Sequence, residues 1–223
     1  MTFPASYSDV PSQNFPILDV ITGKNDSFYR FGDGTKVYDV KDVDYIDYKE
    51  DVFVGYRHYC SHDVKPSYPF GFGLSYTDFE IESLKVARIR DGWRIRVNVA
   101  NVGGNPDRDV IQLYSFGNPA NPGKEPVRQL KGFAKTSVLA PGQKETVTID
   151  VKAADLASFD EESSSWITYG GVYAMAVTAD AEDYGMSFGL NVKKEIRREV
   201  SRALLPVCTV PGRVPEGQVF IDA

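Results

Sequence analysis

Between residues 80 and 192 the apolar side chains recur with a period of two, and that period leaves the chain few ways to fold. Trp93, Ile95, Val97 and Val99 interleave with Arg94, Arg96, Asn98 and Ala100. Successive side chains of a strand point to opposite faces, so this spacing predicts an antiparallel strand with one buried face. Ile81, Leu84, Val86 and Ile89 predict the strand before it, and Asp91-Gly92 the hairpin turn between the two. Val110–Phe116 is apolar on both faces and reads as a strand buried on both. Residues 127–138 predict another strand, with Gly132 marking a bulge. Pro141-Gly142 turns the chain, and Val147, Ile149 and Val151 then alternate with Thr146, Thr148 and Asp150. Ala153–Phe159 predicts one helical turn, and residues 172–178 and 186–192 the last strands. About seven strand regions at this spacing, with no strand–helix alternation, predict an all-β sandwich and disfavour an open parallel sheet.

The flanks read differently. In residues 1–35, Pro4, Pro11 and Pro16 recur before any period is established, which predicts an irregular stretch, and Asp33-Gly34 is a turn signal. Residues 61–79 set Gly71 and Gly73 among Tyr68, Phe70, Phe72, Leu74, Tyr76 and Phe79. So many aromatics are costly as one exposed patch, so close backbone packing is expected there rather than a linker. Residues 193–205 carry Ile196, Val200, Ala203 and Leu204 on one helical face before Pro206, which predicts a short helix. The domain division is therefore 1–75 (an extended junction segment), 76–192 (the sandwich) and 193–223 (a short helix and tail).

Charge and cysteine content narrow the classes. Lys and Arg number 25 against 31 Asp and Glu, a formal charge of −6, which argues against nucleic acid as a dominant partner. No apolar run is long enough to predict a membrane span. Met1-Thr2-Phe3-Pro4 opens no secretory signal, so a cytoplasmic location is expected if the chain is complete. Cys60 and Cys208 are the two cysteines, too few for a disulfide framework, and free thiols are expected.

Residues 52–59, Val-Phe-Val-Gly-Tyr-Arg-His-Tyr, and 68–79, Tyr-Pro-Phe-Gly-Phe-Gly-Leu-Ser-Tyr-Thr-Asp-Phe, resemble the C-terminal region of glycoside hydrolase family 3 enzymes, mostly β-glucosidases and β-xylosidases. Asn98–Gly103, Val110–Tyr114, Val127–Phe133, Leu139–Gln143, Asp155–Asp160, Trp166 and Gly170–Tyr173 are similar to its later strands and turns. Together they cover roughly residues 45–178, and residues 2–16 resemble the end of the family's preceding α/β sandwich domain.

The resemblance implies a fibronectin type III-like (immunoglobulin-like) β-sandwich, preceded by an extended N-terminal segment from a truncated α/β sandwich domain. It also implies a covalent glycosyl-enzyme mechanism in the parent. There the nucleophilic Asp lies in a (β/α)₈ barrel, and the acid/base Glu usually lies in the α/β sandwich. No segment matches the nucleophile's motif or supplies an acid/base equivalent. Retaining hydrolysis needs two carboxyl groups about 5–5.5 Å apart, and sequence spacing picks out no such pair. No catalytic, cofactor-binding or metal-binding residue is therefore assigned.

The expected partners are the catalytic domains of a family 3 glycosidase, in cis or in trans. Self-association through an exposed junction is also expected, as is a β-glycoside substrate in the complete enzyme. Some family members are permuted, so the catalytic domain is expected on either side. A truncated product or remnant fits the same residues, and so does a carbohydrate- or protein-binding sandwich acting without a hydrolase.

The assigned candidates are junction residues: Tyr56, Arg57, Tyr59, Phe70, Phe72 and Tyr76. Phe70, Phe72 and Tyr76 read as a core plug or interdomain seam rather than a sugar-stacking platform. His58, Cys60, His62 and Asp63 have the residue types of a zinc site, but no second cysteine is near, and packing is the better account. Trp93 and Trp166 are expected in core or edge packing. The polar loop from Asn118 to Glu125 is expected to face solvent rather than substrate.

Overall fold

The computed structural model describes residues 2–6, 9, 28–30, 36–38, 51–118 and 125–200. Two sheets face each other. One is β3 (Phe79–Ile89), β4 (Gly92–Asn101) and β7 (Lys144–Lys152), in the order β3-β4-β7. The other has the order β11-β10-β5-β6, formed by β5 (Val110–Phe116), β6 (Gln129–Lys135), β10 (Gly171–Thr178) and β11 (Met186–Val192). Every pairing in both sheets is antiparallel.

The alternation lands where the period places it. Trp93, Ile95, Val97 and Val99 of β4 and Val147, Ile149 and Val151 of β7 turn inward. They meet Ile111, Leu113, Met175, Val177 and Leu190 from the facing sheet. Burying such side chains contributes roughly 1.5–3 kcal/mol each, the main source of stability in a sandwich without staples.

The predicted hairpin closes at Ile89 opposite Gly92. The predicted bulge lies beside Gly132: Leu113 pairs with Gly132 but Tyr114 pairs with Leu130, so Lys131 is the extra residue. A Cβ on Gly132 would sit 2.7 Å from Ile149 Cγ2, so glycine is what lets β6 approach the core side of β7. The helical turn expected after β7 is a 3-10 turn at Ala153–Leu156.

A third small sheet, in the order β12-β9-β8, joins β8 (Ser158–Asp160), β9 (Ser165–Thr168) and β12 (Ile196–Glu199). It corrects the reading of residues 193–205. Over the described part, Ile196–Glu199 is a strand paired with β9, and all four side chains are exposed. Backbone pairing with an open edge outweighed a weak amphipathic period; residues 201–205 lie outside the described residues. In the stretch 1–35 expected to be irregular lies β1 (Phe28–Arg30), which pairs with β2 (Lys36–Tyr38) just beyond it. Asp33-Gly34 lies between them, outside the described residues.

Candidate functional site: a junction face and a cleft

Residues 51–76 return over the β5–β6 side of the sandwich as helix α1 (Tyr56–Ser61) followed by the aromatic loop 68–76. Three of the six predicted junction residues form an inner layer. The Tyr56 hydroxyl accepts a hydrogen bond from Leu130 N at 2.8 Å. Its ring lies 5.3 Å from Phe70 and 5.8 Å from Tyr114. Tyr59 is buried, and burial, reinforced by Asp9, raises its phenol above the usual range. Phe70 is half-buried, and its carbonyl accepts from Ala181 N at 2.8 Å.

Arg57 is half-buried within electrostatic reach of Lys131. Lys131 itself is held below the usual lysine range, chiefly by burial. Its ammonium donates to Gln129 Oε1 at 3.1 Å.

Phe72 and Tyr76 form an outer layer with three neighbours. Leu74 is 91% exposed and Tyr76 88%, while Phe3, Tyr68 and Phe72 are about half exposed. Phe3 pairs with Tyr68 through the backbone, and their rings meet edge-on at 6.2 Å. Tyr68 then lies 5.0 Å from Phe72. Of the residues expected as a core plug or interdomain seam, Phe70 is partly packed, whereas Phe72 and Tyr76 are exposed and are not a core plug.

Beneath this loop lies a buried polar relay within the sandwich. Tyr114 Oη donates to Gln112 Oε1 at 2.5 Å, and Gln112 Nε2 donates to the Ala179 carbonyl at 2.6 Å. Gly71 lies directly over this relay with φ +95°, and a Cβ there would stand 2.0 Å from Gln112 Nε2. Only glycine satisfies both the left-handed backbone and the close approach. Alternating glycines and aromatics, read as tight packing, have this physical basis at Gly71 but not at Gly73, where a Cβ would meet nothing nearer than 4.0 Å.

Beside α1 lies a cleft of about 330 Å³. Its floor holds Arg128, which is 4% exposed. Arg128 Nη1 donates to the carbonyls of Ala181 and, at 2.9 Å, Asp183. The guanidinium lies 5.0 Å from the ring centres of both Phe116 and Tyr184. Sequence reading missed Arg128, because one arginine in a strand looks like a solvated position. Its neighbours Val127 and Gln129 form no apolar run, so nothing local marks it as buried.

Cys60 is a free thiol that donates to the Ala181 carbonyl at 3.5 Å, and burial raises it above the usual range. Cys208 lies outside the described residues. The rings of His58 and His62 stack at 4.5 Å, and His62 Nδ1 lies 3.0 Å from the His58 carbonyl. Among the described residues no group of three or more His, Cys, Asp and Glu side chains is placed to hold a metal ion. No described helix is long and apolar enough to cross a membrane.

Trp93 is core, whereas Trp166 lies exposed on the middle strand of the small sheet, its ring 5.3 Å from Phe159. Of the loop expected to face solvent, residues 119–124 lie outside the described residues. Glu125 at its end accepts from Gln129 Nε2 at 3.1 Å and from the Ser158 hydroxyl.

Residues 109–181 match the fibronectin type III-like domain. The chain is 35% identical over 174 residues to a β-glucosidase of Ruminococcus albus, covering 75% of this chain and 18% of that one. Among solved structures, β-glucosidase 3B of Thermotoga neapolitana in complex with α-D-glucose superposes with a TM-score of 0.72 at 33% identity. That match covers 89% of this chain and 25% of the other. A GH3 β-glucosidase of Bifidobacterium adolescentis gives a TM-score of 0.68 at 27% identity, over 86% and 25% of the two chains. The chain therefore carries a fibronectin type III-like domain homologous to the C-terminal region of such enzymes. It spans about a fifth to a quarter of the length of these relatives.

Proposed function

We propose, from this homology to the C-terminal region of family 3 β-glucosidases, that the chain is the noncatalytic brace of a β-glycosidase. The parent cleaves terminal β-D-glucosides or β-xylosides by the two-carboxylate route, and its catalytic groups lie in domains outside these residues. The ribbon of Phe3, Tyr68, Phe72, Leu74 and Tyr76 carries this reading. An exposed apolar face, with Phe3, Tyr68 and Phe72 in ring contact along it, is costly in water and is the expected form of a surface that docks on another domain. In the relatives the homologous region is part of one longer chain, which favours a partner in cis. A separate catalytic chain, or a second copy of this one, would cover the same ribbon.

The purified chain is expected to show no turnover of p-nitrophenyl β-D-glucopyranoside or β-D-xylopyranoside above the uncatalysed rate. Turnover that survives rigorous purification would contradict the proposal, since it would require a carboxylate pair within these residues.

A further inference from the structure

We infer that the cleft between α1, Arg128 and Tyr184 is a noncatalytic binding site for a neutral pyranose sugar. This inference does not depend on the bracing role, because its test reads sugar binding in the cleft and not the covering of the ribbon.

The cleft is concave, and at about 330 Å³ it has room for one or two sugar rings. Tyr184 lines it and is 73% exposed, although its ring is not loose. Phe116 stacks parallel to it at 6.3 Å, and the Arg128 guanidinium lies 5.0 Å from its centre. An aromatic ring supported in this way offers a flat apolar surface at little ordering cost, which suits the hydrogen-bearing face of a pyranose.

The polar rim points to a neutral ligand. The charged residues lining the cleft are Lys65 and Arg128 against Asp63 and Glu182, two of each sign. A balanced rim gives no net field to attract a phosphate or a cation, but it offers planar donors and acceptors for hydroxyl groups. Arg128 is already fixed by the carbonyls of Ala181 and Asp183, so its fork does not have to be ordered on binding. The Thr2 hydroxyl oxygen, also at the cleft, is buried without a hydrogen-bond partner among the described residues. An unmatched buried hydroxyl is costly, and a ligand hydroxyl would satisfy it.

The test is a titration of the full ¹⁵N-labelled chain with methyl β-D-glucopyranoside and with cellobiose, followed by amide NMR. Sorbitol serves as a polyol without a ring face. The inference expects saturable shifts at residues 63–65, 127–128 and 181–184 with a Kd on the order of millimolar, and none with sorbitol. Tyr184→Ala, an exposed position that should not disturb folding, should weaken binding at least about tenfold. Glu182→Gln, also exposed, should weaken it severalfold. No saturable shift with either sugar, equal shifts with sorbitol, or binding unchanged by Tyr184→Ala would each overturn the inference.

Discussion

Asn101 carries more of this structure than any charged pair on its surface. It is fully buried, and its side-chain amide makes four hydrogen bonds. Nδ2 donates to the carbonyls of Asn105 at 2.7 Å and Leu139 at 2.8 Å. Oδ1 accepts from Thr77 Oγ1 at 2.7 Å and from Gly103 N at 3.1 Å. One residue thus ties the entry to β3, the turn after β4 and the segment before β7. Asn101→Ala leaves several buried groups unmatched and should cost about 3 kcal/mol in urea unfolding. Asn98→Ala, whose bonds to Ser83 and Thr146 lie nearer solvent, should cost about 1 kcal/mol.

The tyrosines set the alkaline limit. Burial raises Tyr173 to about 12, and burial also raises Tyr114 and Tyr59. An unfolded chain releases these phenolic protons near 10, so between about pH 10 and 12 the folded chain binds more protons than the unfolded one. Stability is then full below pH 10 and falls as pH rises through that window. Thermal melts across it should show the loss, and Tyr173→Phe should make the slope shallower.

The strands were legible in proportion to how one-sided they are. β4 and β7 have one wet and one dry face, so their period is written in the sequence, and register and burial followed it. β8 and β9 are three and four residues long, too short to show a period. β12 was misread because Ile196 and Val200 fit a helical face, and an exposed strand leaves no burial pattern to contradict it. The loop 68–76 was legible as aromatics between glycines. Its division into packed and open layers was not, since that depends on what Gly71 rests against. The Arg128 cleft joins residues far apart in sequence, and no local pattern marks it. Because β12 is a short outer strand with no buried side chain, its amides should exchange by local opening. Hydrogen exchange should find residues 196–199 far less protected than those of β4.

Among the described residues, a sandwich core packed between two sheets stands beside an apolar face left in water. The sandwich closes its own core between two sheets, whereas loop 68–76 leaves Leu74 and Tyr76 in water. The proposed bracing role accounts for both, with the catalytic domains of the parent as the neighbour that would cover the ribbon. The most direct test is made in host cells. Activity toward chromogenic β-glucosides and β-xylosides, and its survival on heating, is compared in three strains. One is unaltered, one lacks the coding stretch for these residues, and one carries Leu74→Ser with Tyr76→Ser. The account predicts activity lost on deletion, and in the double variant activity that is retained when cold but lost at a lower temperature than in the unaltered strain. Activity and heat resistance that are the same in all three strains would contradict it.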